Sequence, residues 1–363
     1  MKRGLIELAL SALALGLSGC ATSYGAKTIV PSGYNYNTAI ADSKDQQLLL
    51  NLVRLRYRDT VVFMNITSVT TQHQYSAGLS AENAIPFRRA SDGASVITPS
   101  AGYSETPTIS YAPVTGTEFA TNLLSPISAE TIVLLANSGW SIERLMTCCV
   151  ERLGRLSNAP SASGPTPPVL PNNQEFRRLA RLLRQLQMGE QVYVEQVPAD
   201  DGAEPETHLS VNAAPGPECD DLKHLLGIES CQAKLNLVAR GMADEDAALL
   251  AQTRTVLGAL YNLSHAVSVP AVHEAEGLVT DSRIESGETS TWRAFLGEQF
   301  QVKNSKQEPD RAFVKIQYRD HWFWIDDSDL ESKTTFNLIL FLLSLQSAAS
   351  EGATPLLTVS ASR

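Results

Sequence analysis

Two hydrophobic periods run through this chain, and they alternate without a regular rhythm. Between Lys44 and Tyr57, Leu48, Leu52 and Leu55 recur with Leu49 and Val53 beside them, the spacing of one face of an amphipathic helix. The same spacing puts Phe176, Leu179, Ala180, Leu183 and Leu186 on one arc from Asn172 to Met188, where Asn172 and Glu175 make an Asn form of the capping box. It predicts further helices over Ser141–Leu156 and Asp244–Val267, and two short ones between Thr117 and Ser138, broken near Ser125-Pro126. Period-two segments rich in β-branched and aromatic residues lie between them, over Val61–Tyr75, Thr106–Val114, Gln191–Val197 and Leu356–Ser360. In FVKIQYRDHWFWI, Val314, Ile316 and Tyr318 alternate with polar residues before a turn at Arg319-Asp320-His321, and Trp322 to Ile325 returns as the second strand of a hairpin.

Strands and helices mingled in this way, with no repeating strand–helix–strand unit, predict an α+β fold. Its expected form is mixed helices and antiparallel strands, with a C-terminal β-hairpin followed by a buried helix. That helix contains FNLILFLLSL, Phe336 to Leu345, which is about half the length a bilayer crossing needs. Ser328 and Glu331 just upstream match a capping box, so the run reads as a core helix. Composition suggests where the chain divides. SNAPSASGPTPPVLPNN, residues 157–173, is dense in Pro, Ser and Gly and is expected to be a linker or exposed loop. It separates an N-terminal α+β region (43–156) from a C-terminal one (174–363), which together would also fit a single domain. Pro198–Glu218, Asp281–Thr291 and Lys303–Asp310 are expected loops.

The N-terminus has a different character. Lys2 and Arg3 precede an apolar run from Leu8 to Leu17, too short for a permanent membrane helix and of the length of a secretory signal. The run ends in Leu17-Ser18-Gly19-Cys20, which resembles the lipobox of bacterial lipoproteins. The resemblance covers the first twenty or so residues. It implies a signal peptide over 1–19, a diacylglycerol on the Cys20 sulfur, and acylation of the new amino terminus. Two or three acyl chains, at about 0.8 kcal/mol per buried CH₂, anchor firmly where one would not. Ala21 stands where an Asp would mark inner-membrane retention, so in a Gram-negative cell the resemblance implies a periplasm-facing lipoprotein of the outer membrane. Residues 20–42 lack helical periodicity and read as the tether that follows.

Export allows disulfides. Cys219 and Cys231 flank DDLKHLLGIES and are the candidate pair, a bridge expected to add roughly 3 kcal/mol through chain entropy. Cys149 falls on the core face of its helix, beside Cys148, and no C-x₂-C pair or neighbouring His supports zinc. The six histidines are scattered, and VHEAEG around His273 lacks the second histidine of H-E-x-x-H. There is no G-x-S-x-G, S-x-x-K, P-loop or G-x-G-x-x-G. No metal and no cofactor is therefore expected. The net charge of −10 disfavours nucleic acid, whose binding runs on Lys and Arg.

Two clusters remain as candidate sites. Asp326, Asp327 and Asp329, with Glu331, form the densest group of carboxylates, near Trp322 and Trp324; they are read first as helix caps and second as a calcium or acid/base site. Arg177, Arg178, Arg181 and Arg184 cover the polar face of the 172–188 helix and are a candidate docking surface for lipid headgroups or an acidic partner. The expectation is a non-enzymatic interaction or assembly protein of the cell envelope, held to the membrane by its lipid and working with other envelope proteins. The alternatives are an envelope hydrolase built on Asp326 and Asp327, or a small-ligand binder with an apolar pocket.

Overall fold

The computed structural model describes residues 24–83, 95–113, 117–197, 206–238, 250–280, 282, 292–347 and 357–360. In chain order the elements are α1 (Tyr24–Arg56), β1 (Met64–Asn83), β2 (Ser95–Pro113), α2 (Thr117–Leu124), α3 (Ala129–Asn137), α4 (Ile142–Cys149), β3 (Val150–Leu153) and β4 (Leu156–Ser157). They continue with α5 (Gln174–Met188), β5 (Val192–Val197), β6 (Glu206–Asn212), α6 (Pro217–Leu226), β7 (Gln232–Val238), β8 (Leu250–Thr253), α7 (Val256–Ser264) and α8 (Ala271–Ala275). The last are α9 (Trp292–Phe295), β9 (Lys303–Ser305), β10 (Val314–Tyr318), β11 (His321–Ile325), α10 (Leu330–Ser347) and β12 (Leu357–Ser360). The fold is α+β, and the C-terminal hairpin followed by a helix is present.

The chain divides into two compact units, and the division does not fall at 157–173. One unit takes Met1–Lys44, Ile66–Tyr111 and Pro355–Arg363; the other takes Asp45–Asn65 and Ala112–Thr354. The second, larger unit is built on a six-stranded sheet of order β4-β3-β8-β7-β6-β5, antiparallel except for the β7–β8 pair. A smaller sheet of order β10-β11-β9 stands in the same unit. Packed helices share one hydrophobic core that includes Leu48, Leu49, Leu52, Leu145, Phe176, Leu183, Leu260, Phe323 and Phe336. In α10, Phe336, Leu338, Ile339 and Leu342 are buried while Phe341 and Leu345 are exposed, so its apolar run is a core helix with a wet side. Among the described residues no helix is long and apolar enough to cross a membrane.

Several elements differ from the sequence expectation, each for a local reason. The tether expected over 20–42 is helical from Tyr24, continuous with the buried turns at Leu48–Leu55, as expected when a packed segment propagates a helix one hydrogen bond at a time. The helix expected over 141–156 ends at Cys149, because Val150–Leu153 pairs with β8 and β4. The helix expected from Asp244 has its cap at Thr255, whose side chain accepts from the Gly258 N–H at 2.9 Å; Leu250–Thr253 is a strand held on both sides. The loop expected over 198–218 contains β6, and residues 198–205 lie outside the described set. The α5 cap is not the box read from Asn172 and Glu175. Asn172 Oδ1 accepts from the Gln174 N–H, while Asn173 turns its amide to Asn158 Oδ1 (3.0 Å) and the Phe295 carbonyl (3.1 Å).

That last contact shows what becomes of the Pro/Ser-rich stretch. Ala162 and Thr166 are buried, and a chain of hydrogen bonds crosses the stretch. Arg56 donates to Thr166 Oγ1 (3.1 Å), Thr166 lies 3.2 Å from His265 Nδ1, and His265 Nε2 lies 3.0 Å from the Ala162 carbonyl. With Arg56 already donating to the threonine oxygen, the consistent assignment has the Thr166 hydroxyl donating to Nδ1 and the Nε2–H donating to the carbonyl. Burial pulls the His265 pKa down to about 3, against the help of the Ala162 carbonyl, so the ring is neutral. A depressed imidazole gives stability that is complete above its unfolded value of 6.5 and is lost as pH falls from there toward about 3. Urea titrations are expected to show unfolding free energy falling below pH 6.5 by up to about 1.4 kcal/mol per pH unit. His265→Gln is expected to be less stable at pH 7.5 and to show a shallower slope; equal slopes in the two proteins would reject the assignment.

Candidate functional site

The smaller unit carries one feature unusual in size. Strand β1 has 20 residues and β2 has 19, where strands of globular proteins run about 3 to 10. The sheet order is β1-β2-β12. Ser76 Oγ donates to the Gly102 carbonyl at 3.4 Å and Ser100 Oγ to the Gly78 carbonyl at 3.2 Å, which sets an antiparallel register with Ser76 opposite Gly102 and Gly78 opposite Ser100. The pairs are tight: a Cβ on Gly78 would come 2.7 Å from Ser100 Oγ, and one on Gly102 would come 2.6 Å from Ser76 Oγ. Strand β12 covers β2 only over Thr108–Tyr111. Among the described residues, β1 has a neighbour on one side alone.

Along both strands the even-numbered positions Ser68, Thr70, Gln74, Ser76, Gly78, Ser100, Gly102 and Ser104 are exposed, and none bears a charge. In the whole of β1 and β2 the Asp, Glu, Lys and Arg residues are Glu82 and Glu105, in a chain in which those four types make up 19%. Sequence reading recognised the ends of these strands, Val61–Tyr75 and Thr106–Val114. It passed over Ser76–Asn83 and Ser95–Glu105, whose Ser, Gly and Ala have weak strand propensity. The signal that marks them is the two-residue alternation itself.

The residues singled out from the sequence are in the larger unit, and they do not converge. Asp326 accepts from the Ser328 N–H (3.0 Å) and hydroxyl (2.7 Å) and faces Lys303 Nζ at 2.9 Å, contacts that hold its carboxyl well below the usual range. Asp327 pairs with Lys333 at 2.7 Å. Asp329, not Ser328, caps α10: its carboxylate takes the Ser332 N–H (3.1 Å) and hydroxyl (2.8 Å). Glu331 instead binds Arg144 at 2.5 Å. Each carboxylate thus has its own partner, and no pair is set across a cleft.

The four arginines of α5 do lie opposite its buried leucines, and acidic groups of the chain face them. Arg178 forks onto Asp221 at 2.6 and 2.8 Å. Glu143, whose pKa burial raises against the pull of Arg181 and Arg177, sits beside those two. Arg184 donates to Gln187 Oε1 at 2.7 Å and, with Trp140, Arg144 and Thr334, lines an open depression of about 330 Å³. Cys219 and Cys231 form a disulfide with Cα atoms 5.1 Å apart, closing α6 and its exit loop. Cys149 is in the core, as expected, next to buried Cys148. Cys20 lies outside the described residues.

A cluster that sequence reading missed gathers at the tip of the β10–β11 hairpin. Tyr57 Oη is 2.7 Å from His273 Nδ1, and the His273 and His321 rings are 4.9 Å apart. Tyr318 donates to Asp59, Arg319 binds Asp59 at 3.0 Å, and the Arg319 guanidinium lies 5.1 Å over the Tyr57 ring. Arg319 and Asp320 both have positive φ, 48° and 61°, where Asn-Gly is the easy choice. The side chain of Arg319 compensates by closing the turn onto Asp59 and Tyr57. Burial pushes the Tyr57 hydroxyl up to about 12 and lowers His273, with His321 adding to the latter. The Tyr57 hydroxyl therefore keeps its proton and shares a hydrogen bond with His273 Nδ1. This locks α1, α8 and the hairpin to one another within the larger unit. Asp59 and Arg319 are 260 positions apart in sequence, which is why no local pattern revealed the cluster.

Among the described residues no group of three or more His, Cys, Asp or Glu is placed to hold a metal ion. No protein family matches the chain. No curated protein and no solved structure matches it.

The carboxylate geometry gives a direct expectation. Asp329→Ala is expected to lower stability by about 1 kcal/mol, the worth of the lost α10 cap. The melting temperature of the unaltered protein is expected to be the same with millimolar calcium as with chelator. A rise with calcium that disappears in the Asp326→Asn, Asp327→Asn double variant would establish a cation site.

Proposed function

We propose that this is a lipid-anchored protein of the cell envelope, fixed by Cys20 to the outer membrane of a Gram-negative cell and working by assembly with other envelope chains rather than by catalysis. The observation that carries the reading is the β1–β2 pair. It leaves a twenty-residue strand edge open on β1 among the described residues and presents an uncharged polar face beside it. An open edge of that length is a template for another strand, and proteins that work alone blunt such edges with Lys, Pro or short strands. β1 has neither Lys nor Pro. Asp326, Asp327 and Arg178 support the reading from the other direction, since each is ion-paired within the chain.

The test is crosslinking in intact cells followed by purification of the lipidated chain and mass spectrometry. Stoichiometric recovery of an oligomer or of a fixed envelope partner is expected. Cys20→Ser is expected to move the chain out of the membrane fraction. Repeated recovery of the chain alone, at native abundance, would sink the assembly reading.

A further inference from the structure

The open depression beside α5, of about 330 Å³, is at the small end of ligand-site volumes, which begin near about 300 Å³. Among the described residues no Asp or Glu lines it, while Arg144 and Arg184 both do. The two guanidinium groups are differently engaged. Arg144 is buried and matched: Glu331 takes it at 2.5 Å, and it donates to the Glu331 carbonyl at 2.8 Å and to Thr335 Oγ1. On α5, Arg178 is matched by Asp221, and Arg177 and Arg181 share Glu143. Arg184 meets an uncharged amide instead. Its Nη1 donates to Gln187 Oε1 at 2.7 Å, and its Nε–H and Nη2–H have no partner among the described residues. Those two donors lie along one edge of the planar group, the fork that a carboxylate fits with both oxygens.

Gln187 also holds the wall around that fork. Its Nε2 donates to the Trp140 carbonyl at 3.0 Å, and its Oε1 accepts from the Ile142 N–H at 3.1 Å as well as from Arg184. One amide thus ties the guanidinium to the turn from α3 into α4, so little ordering entropy is left to lose on binding. Ser141, the cap residue of α4, lines the depression and makes no capping bond, which leaves its hydroxyl as a further donor beside the positive end of that helix. Two other hydroxyls of the lining accept rather than donate. Ser138 Oγ gives its proton to the Leu134 carbonyl and Thr334 Oγ1 to the Leu330 carbonyl, both at 2.7 Å. What each has left is lone pairs, which take hydrogen bonds from the hydroxyls of a ligand. Half-buried Trp140 completes the lining with an indole, a flat and mainly apolar surface.

We propose that this depression binds one acidic sugar, a ring that bears a single carboxylate and several hydroxyls. The carboxylate sits on Nε and Nη2 of Arg184, the ring hydroxyls on Ser138 and Thr334, and the C–H face of the ring on Trp140. The charge count selects a carboxylate over a phosphate. With Arg144 matched by Glu331, one positive charge is left over, against a single negative charge on a carboxylate and about 1.5 to 2 on a phosphate monoester. The lining selects a sugar over a plain organic acid, since it sets hydrogen-bond acceptors and an aromatic surface beside the fork. The volume selects one ring over a chain of them. The depression is in the larger unit and uses nothing of the β1 edge, so this site and the assembly reading stand or fall separately.

Calorimetric titration of the full chain in detergent tests this, with glucuronate as the probe. Glucuronate is expected to saturate a single site, and glucose, acetate and inorganic phosphate to bind at least about tenfold more weakly. Arg184→Gln is expected to weaken glucuronate about tenfold or more, the worth of hydrogen bonds to a charged group. Arg184→Lys, which keeps the charge without the fork, is expected to fall between the two. Thr334→Trp, at an exposed helix position, is expected to fill the depression and block the sugar with Arg184 intact. Arg181→Gln, on the same helix outside the depression, is expected to bind as the unaltered chain does, and melting curves establish that each variant is folded. No binding of glucuronate by the unaltered chain would overturn the site. Equal binding of glucose would overturn the contact with Arg184, and equal binding of acetate or phosphate would overturn the contacts with the ring. Undiminished binding by folded Arg184→Gln or Thr334→Trp protein would put the sugar elsewhere and overturn the assignment.

Discussion

The guanidinium of Arg254 is fully buried, and much of the larger unit is arranged around it. Burial drags its pKa down to about 10, with the charge of Glu151 opposing the fall. A buried cation costs several kcal/mol to desolvate unless it is paired and fully hydrogen-bonded, and removing a partner is correspondingly expensive. Here the partners come from the segment that composition marks as a linker. Arg254 donates to the Asn158 carbonyl and to Ser163 Oγ, and Ser163 in turn donates to Glu151 Oε1 at 2.5 Å. Its own backbone N–H reaches the Cys149 carbonyl at 2.7 Å, and its carbonyl accepts from Ile127 at 2.8 Å. The Pro/Ser-rich stretch is thus the counterpart of a charge, and its small polar residues are what let it pass close to that charge. Asn158 extends the network with bonds to the Thr147 and Val150 carbonyls at 2.9 and 2.7 Å, fixing the turn from α4 into β3.

That arrangement also explains where the sequence was legible. Helices with one clean apolar face, such as α5 and the end of α1, show in the spacing of their leucines because their packing is one-sided. The β10–β11 hairpin shows because Val314, Ile316, Phe323 and Ile325 are buried and their neighbours are not. The stretch from Leu249 to Tyr261 misleads because a short apolar run has no distinguishing period. Thr255 begins a helix, while Leu250–Thr253, flanked by β3 and β7, is a strand. Composition reads 157–173 as a loop and is right about the absence of regular structure beyond one short turn, but it says nothing about burial. What holds that stretch is 90 or more residues away, at Arg254 and His265. The same holds for the site candidates. Clustered carboxylates are visible in a sequence, and their private partners are not.

The two units differ in the physics that holds them. The larger has a continuous core, with fully buried Leu, Phe and Ile drawn from helices and sheets alike. It accounts for its charges internally, through Asp59 and Arg319, Lys303 and Asp326, and Arg144 and Glu331. In the smaller unit, about half of the positions of β1 and β2 are Ser, Thr, Gly or Ala. Side chains of that size bury little apolar area. Backbone hydrogen bonds alone add roughly 1 kcal/mol each in water, because water competes for the same groups. Strands of 39 residues in all, with Glu82 and Glu105 as their Asp, Glu, Lys and Arg residues, therefore gain more from a further strand along the β1 edge that the described residues leave open than from the packing of their own side chains. The exposed serines facing paired glycines belong to the same argument. They let two strands approach closely with their polar atoms on one exposed face.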